Sequence, residues 1–387
     1  MKLFTEGRKE VFSKLEKEIT PEDRIIWVHA ASLGEFEQAV PVMEMLKEDY
    51  QNHRILVTFF SPSGYENKKK HPLADVITYL PLDTPKNARK FLDLAHPELT
   101  LFIKYDIWPN FLAELKKRQI RTFLVSGAFR ENQVFFKPYG GWMKKALYSF
   151  EHFFVQNKKS QELLNSIGFK NVSISGDTRF DRVSRQIEYD NKLEFIEEFL
   201  QDELAVVAGS TWPEDDELLI PYINSAPEGA KFIIAPHEIK PEKVKKLQEK
   251  IKLPVVLFSE MEDKNLKDHK VLIIDTIGLL SKIYSYADIS YVGGAAGNTG
   301  LHNILEPATF GIPVIIGKNF DKFPEAKKLQ RLAGLFSVST KEELSQVLLK
   351  LIENRGFREK TGMISGHFIS SNTGATRTIQ SYLHQNP

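Results

Sequence analysis

The sequence predicts an α/β protein built from two doubly wound, mainly parallel sheets. Short apolar runs alternate with helical patterns along most of the chain, the order that makes βαβ units. That alternation pauses around Gly176-Asp-Thr-Arg-Phe-Asp181 and then begins again. A length of 387 residues also exceeds what one ordinary hydrophobic core organises. The expected domains are 1–178 and 179–372, with a last helix over 373–387 that can return to the first domain.

The first series opens with a helix over about 5–18, carrying Val11, Phe12 and Leu15 among Arg8, Lys9, Lys14 and Lys17. One packed face or a membrane-surface helix both fit that pattern. Ile25–Ala30 reads as a buried strand, followed by Ala31-Ser-Leu-Gly-Glu35 and a helix to about Leu46. Further strands are expected near 54–60, 76–80, 99–104, 121–126, 152–156 and 172–175. After a charged helix near 188–201, the second series places strands at 204–209, 231–235, 255–257, 271–274, 289–292 and 314–316. Helices are expected near 215–224, 241–250, 277–286, 303–309, 342–353 and 374–385.

Composition narrows the function classes. Hydrophobic content of 42% and charged content of 27% are those of a soluble globular protein. The absence of cysteine removes disulfides, thiolate metal sites and cysteine nucleophiles, and fits a reducing cytoplasm. A formal net charge of +1 gives no case for nucleic acid. No apolar run reaches membrane-spanning length, and Met1–Glu10 lacks the apolar core of a signal peptide. No H-E-x-x-H, no G-x-S-x-G and no cluster with metal-ligand spacing occurs, so no structural metal is expected.

Ligands of open α/β sheets sit beyond the carboxyl ends of the strands. Gly293-Gly-Ala-Ala-Gly-Asn-Thr-Gly300 lies at such an end, and its glycines let backbone amides approach a ligand closely. It is neither the dinucleotide fingerprint nor a phosphate loop of the G-x-x-x-x-G-K-[ST] type. Asn303 and Glu306, three apart, would share a helix face and hold one ligand; a tight turn with Asn303 as a cap explains them equally well. At the end of the first strand, Glu35 begins a helix whose dipole favours its anion. It can serve as a base or be a plain helix-start residue. His29 is expected to pack and hydrogen-bond rather than react. In Lys104-Tyr-Asp-Ile-Trp-Pro-Asn110, Lys104 and Asp106 can pair with each other, and Trp108 reads as structural. Arg179 can neutralise a phosphate or carboxylate, or form a salt bridge. The aromatic and basic stretch Val134–Phe150 can touch lipid or pack as a helix.

Several of these loops resemble one family together, the 3-deoxy-D-manno-octulosonate (Kdo) transferases of lipopolysaccharide core biosynthesis. The resemblance rests on His29-Ala-Ala-Ser-Leu-Gly-Glu35, Ser61-Pro-Ser-Gly64, Tyr79-Leu-Pro-Leu-Asp83, Ile107-Trp-Pro-Asn110, Gly176 with Phe180-Asp181, Gly209-Ser-Thr211 and His302-Asn-Ile-Leu-Glu-Pro-Ala308, in the family's order. It implies a GT-B fold, two Rossmann-like domains with parallel sheets facing each other across a cleft. It implies inverting, metal-independent transfer of Kdo from CMP-Kdo to a lipid A precursor, with no cofactor. Glu35 would be the base that deprotonates the acceptor's 6′-hydroxyl, and Arg179 the cation aligned with a family lysine. CMP contacts would fall on Pro236 and His237, on Gly278, Leu279 and Leu280, and on Asn303, Ile304, Leu305 and Glu306. Three positions depart from the family pattern: Lys104 replaces a glutamate, His237 an arginine and Leu279 a glutamate. Lys104 would then contact the donor's carboxylate or leave that role elsewhere. The family's hydrophobic N-terminal anchor is missing, so peripheral contact with the inner face of the inner membrane would fall to the basic and aromatic surface. Two other readings stay open, another GT-B enzyme such as a UDP-sugar transferase or epimerase, and a non-catalytic two-domain binding protein.

Overall fold

The computed structural model describes residues Gly7–Asn386. Two compact units form, one from the chain up to Arg182 and from Thr373 onward, the other from Val183–Asn372. The first unit holds strands β1 (Arg24–His29), β2 (His53–Phe59), β3 (Val76–Tyr79), β4 (Pro97–Ile103), β5 (Arg121–Gly127), β6 (His152–Val155) and β7 (Val172–Ile174). They pair in the order β3-β2-β1-β4-β5-β6-β7, every pair parallel. The second holds β8 (Leu204–Thr211), β9 (Ala230–Pro236), β10 (Val255–Leu257), β11 (Val271–Ile273), β12 (Ile289–Val292), β13 (Val314–Gly317) and β14 (Leu335–Val338). Their order is β10-β11-β9-β8-β12-β13-β14, again parallel throughout.

Parallel sheets are covered on both faces, which is why these strands read as continuous apolar runs rather than alternating ones. In β1 only Arg24 is exposed. Trp27, Phe91, Phe102 and Phe111 pack on one face of the first sheet, with the Trp27 ring centroid 4.8 Å from Phe91 and 5.3 Å from Phe102. Val28, Phe36, Val57, Phe123 and Phe154 fill the other face, together with Ile379 and Leu383 of the last helix, Ala375–Gln385. That helix starts on Asp181. Its Oδ1 accepts from Gly374 N at 2.5 Å, and its Oδ2 from Thr376 N and Oγ1 at 2.6 and 2.8 Å. A carboxylate at this position satisfies amides that the helix itself cannot, worth roughly 1 kcal/mol. The second sheet is likewise packed on both faces, with Tyr291 and Phe232 on one and Ile196 and Tyr284 on the other.

The elements differ from the expectations in four places. The first helix is Val11–Glu18, and residues 5 and 6 of the expected one lie outside the described residues. The charged helix shrinks to Glu194–Leu200, preceded by a 3-10 turn at Arg185–Glu188. The helix expected at 277–286 becomes Leu280–Ile283 followed by a 3-10 turn, which carries Tyr284 into the core. Strand β14 and helices Pro324–Arg331 and Arg355–Ser370 complete the second unit and were not anticipated.

Candidate active site

Strand order reverses between β1 and β4 in the first sheet and between β8 and β12 in the second. Ligands of such sheets bind outside these switch points, and both ends carry clusters of polar side chains.

At the end of β1, Ser32 precedes the helix Leu33–Asp49 and Glu35 lies in its first turn. Ser32 Oγ donates to Glu35 Oε2, and Lys104 Nζ stands 3.4 Å from Oε1. Lys104 follows β4 with φ at 66°, left-handed backbone that a side chain adopts only under local constraint. The loop after β2 closes on the same place, with Phe60 N and Ser61 N both bonded to Ala31 O. A Cβ on Gly64 would press on Phe59 and Leu33 N.

Behind Glu35 lies a buried chain of bonds. Trp27 Nε1 donates to Thr58 Oγ1 at 2.8 Å, which leaves the hydroxyl hydrogen for His29 Nδ1, also at 2.8 Å. The ring's other nitrogen then faces Asp106 Oδ2 at 2.7 Å, where Trp108 Nε1 also donates at 2.7 Å. Burial pushes the Asp106 carboxyl up, but the bonds from His29 and Trp108 outweigh it and hold the acid below its ordinary value. The expected alternative of an Asp106–Lys104 pair is therefore corrected: Lys104 reaches Glu35, and Asp106 belongs to His29. His29 is fully buried and tied at both nitrogens, as anticipated.

Arg179 sits on the helix Thr178–Ser184 and grips Asp177 with Nε at 2.9 Å and Nη2 at 2.8 Å. Burial raises the Asp177 carboxyl, while the Arg179 charge, its bonds and the Gln38 amide bring it below the usual range. Gln38, one turn beyond Glu35, donates to Asp177 Oδ1 at 2.9 Å. Asp83 caps the helix Pro109–Lys117 by accepting from Asn110 N and Phe111 N, each at 3.1 Å. Two of the motifs singled out in the sequence are thus one cap.

In the second unit, the glycine loop is organised by a residue the sequence reading passed over. Asp215 is fully buried and accepts from Tyr291 Oη at 2.7 Å, Gly294 N at 2.8 Å, Trp212 N at 2.9 Å and Ala296 N at 3.4 Å. Its place three residues after the cap residue Trp212, reaching back to Trp212 N, is the capping-box position that would have signalled it. Gly294 adopts φ 95°, and a Cβ on Gly293 would collide with the Ser210 carbonyl. Those two glycines are required by space and backbone.

Three segments expected to hold the nucleotide meet here. His237 stacks on Trp212, centroids 4.7 Å apart, and lies 4.5 Å from His302. Trp212 Nε1 donates to His302 Nε2 at 3.0 Å. Burial, then the His237 charge, push His302 down to about 4, and burial lowers His237 as well. Glu306 accepts from Asn303 Nδ2 and from Ser281 Oγ, both at 3.1 Å, which joins the Gly278–Leu280 turn to the 303–306 segment. Asn303 lies outside the helix, which begins at Leu305, so the two residues meet across a turn and not along a helix face. Asn303 Oδ1 also accepts from Leu305 N at 3.1 Å. Ile304 and Leu305 are buried in the core, and Ile304 O accepts from Ala308 N at 3.3 Å. Pro236 ends β9, while Gly278 (φ 96°) and Leu279 lead into the short helix.

Among the described residues no group of three or more His, Cys, Asp and Glu is placed to hold a metal ion, and no helix is long and apolar enough to cross a membrane.

A family model described as 3-deoxy-D-manno-octulosonic-acid transferase (kdotransferase) matches residues 6–182. The chain is 27% identical to a 3-deoxy-D-manno-octulosonic acid transferase of Haemophilus influenzae, over 95% of this chain and 89% of that protein. A protein of the same name from Aquifex aeolicus is 28% identical over 89% of this chain and 91% of its own length. In fold, a UDP-GlcNAc 2-epimerase of Neisseria meningitidis aligns with a TM-score of 0.66 at 15% identity, over 94% of this chain and all of that one. MurG of Acinetobacter baumannii aligns at 0.58 and 12%, over 94% and 99%. These solved structures share the two-sheet GT-B fold.

Proposed function

Because residues 6–182 match the Kdo transferase family model and relatives of that name align along most of the chain, we propose that the chain is a glycosyltransferase that moves Kdo from CMP-Kdo to a lipid A precursor. The observation that carries the chemistry is Glu35, held at a helix start by Ser32 and Lys104 at the switch point of the first sheet. One carboxylate oxygen of Glu35 takes the proton of the acceptor's 6′-hydroxyl. The hydroxyl oxygen forms a bond to the anomeric carbon of Kdo as the bond to the CMP phosphate breaks, and CMP leaves with that electron pair. One displacement of this kind inverts the anomeric centre and needs no covalent intermediate. Arg179 meets negative charge on the leaving phosphate or the donor carboxylate, and its fixed fork on Asp177 pre-orients it. Lys104 limits Glu35 to one geometry. We assign no cofactor to the transfer.

On this reading Pro236, His237, Gly278–Leu280 and Asn303–Glu306 seat the CMP moiety. The Asn303–Glu306 carboxylate offers acceptors to ribose hydroxyls, and lowered histidine pKa values make His237 and His302 ring surfaces and hydrogen-bonding groups rather than cations.

Glu35→Gln should lower transfer by about 10² to 10⁴-fold, the usual contribution of a general base, with CMP affinity unchanged. Incubation with CMP-Kdo and a tetra-acylated lipid A precursor, followed by mass spectrometry of the lipid, reads both the transfer and the number of additions. Normal turnover by the variant, or tighter calorimetric binding of UDP than of CMP, overturns the reading. We also propose that the protein works peripherally on the inner face of the inner membrane. The support is Tyr139, Trp142 and Tyr148, exposed at 75%, 62% and 50% beside exposed Lys145. Co-sedimentation with anionic vesicles should fall several-fold in a Tyr139→Ser/Trp142→Ser variant; unchanged binding sinks this placement.

A further inference from the structure

The second unit has a buried polar surface, at Thr211 and Asp216, to which the transfer reaction assigns no role. A cavity of about 490 Å³ opens between the helices Pro213–Ile223 and Pro241–Lys250. In its lining, Asp216 Oδ1 and Thr211 Oγ1 are buried and make no hydrogen bond of regular geometry, the Thr211 hydroxyl only leaning toward the Asp216 carboxyl. Both residues are more than nine-tenths buried, with 9% and 2% of their surface exposed. An orphaned buried oxygen costs roughly 1–3 kcal/mol, and two in one cavity lining are unusual enough to need an explanation.

Chemistry at the mouth is different. Glu238 is held by Lys240 and Lys243, so that group is spent internally. Lys246 and Lys250 make no ion pair among the described residues, and Glu249 beside them leaves the rim with a net positive charge. Pro213 and Leu247 add apolar surface to the lining. Burial pushes the Asp216 carboxyl up to about 7; the Thr211 hydroxyl and Lys250 moderate that rise, and the Asp215 and Glu214 charges add to it.

We propose that this cavity is a second small-molecule site, taking a hydroxylated anion of the sugar-acid or sugar-phosphate class. A ligand hydroxyl both donates and accepts, which is what a carboxyl oxygen and a threonine hydroxyl side by side require. The ligand's anionic group meets Lys246 and Lys250, and the carbon face of its ring lies on Pro213 and Leu247. The volume falls within the usual range for such sites, about 300–1,000 Å³. The cavity shares Trp212 and Pro236 with the proposed nucleotide seat but includes none of Gly278–Leu280 or Asn303–Glu306. The site therefore stands whether or not the Kdo transfer reading does.

The intact protein is titrated calorimetrically with free Kdo, glucose 6-phosphate, inorganic phosphate and glucose. One or both hydroxylated anions should bind saturably, at least tenfold tighter than glucose or phosphate, and the first two arms tell a sugar acid from a sugar phosphate. Lys246→Glu, an exposed substitution that leaves the core intact, should weaken that binding at least tenfold, as should the isosteric Thr211→Val, while CMP titrations stay unchanged. No saturation by any of the four overturns the proposal. So does phosphate binding as tightly as the sugars, or affinity unmoved in either variant.

Discussion

At the carboxyl end of the first sheet, two acids, one half-buried and one buried, are held below the usual carboxylate range, Asp106 by His29 and Trp108, Asp177 by Arg179. At the carboxyl end of the second, Asp215 meets only neutral donors, Asp216 is driven up to about 7, and His302 down to about 4. Both ends sit on seven-stranded parallel sheets with a switch point at the first strand. The scaffold is therefore common to them, and the side chains make the difference. Fixed charges suit the side that we propose moves a proton and offsets developing charge. Neutral donors and stacked rings suit a nucleotide seat, where base and ribose offer many polar contacts and little charge.

The comparison breaks first at Asp216. Its folded pKa of about 7 stands above the ordinary carboxyl value, so the unfolded chain ionises first as pH rises. Stability is then lost progressively between about pH 4 and pH 7 and stays low above, by at most ~4 kcal/mol. Asp216→Asn should recover most of that at pH 8 and change little at pH 4. Urea titration followed by hydrogen exchange within residues 183–372 measures it; equal effects at both pH values would mean that the second unit does not hold a neutral acid. The smaller test is Asp106→Asn in the first unit. Its folded pKa is lowered, so its contribution is present above the unfolded value and is lost as pH falls through the folded one. Losing a charge-assisted bond should cost roughly 2 kcal/mol at pH 7 and little near pH 2. A cost that persists in acid would show that geometry, and not charge, ties His29 at that end of the sheet.

How far the sequence revealed this depends on the kind of interaction. Strands buried on both faces show as apolar runs, so thirteen of the strands lie close to where they are expected. Strand β14, Leu335-Phe-Ser-Val338, was missed because it is short and half-exposed. The helix Arg355–Ser370 hid behind the glycines and serines that let it pack closely, with Gly362 against Gly311. At the site, Glu35 and Glu306 stood at recognisable loop ends. Asp215 did not, because Glu214-Asp215-Asp216 looks like an ordinary acidic first turn, and its partners Tyr291 and Gly294 are 76 and 79 residues away. Which of two adjacent acids is satisfied and which is orphaned is decided by the packing around them, and spacing is blind to it.

The cap on the last helix bears on how the protein is made. Asp181 and the amides it holds are 193 and 195 residues apart, and the whole second unit is synthesised between them. On the ribosome, the first sheet emerges early, with helix Leu33–Asp49 to pack on one face, but waits for Ile379 and Leu383 to complete that cover. The second unit, continuous in sequence, has every strand it needs before that happens. The half of the molecule that begins first is finished last, and a chain halted near residue 372 would leave part of an apolar sheet face uncovered, beside a carboxylate with nothing to cap.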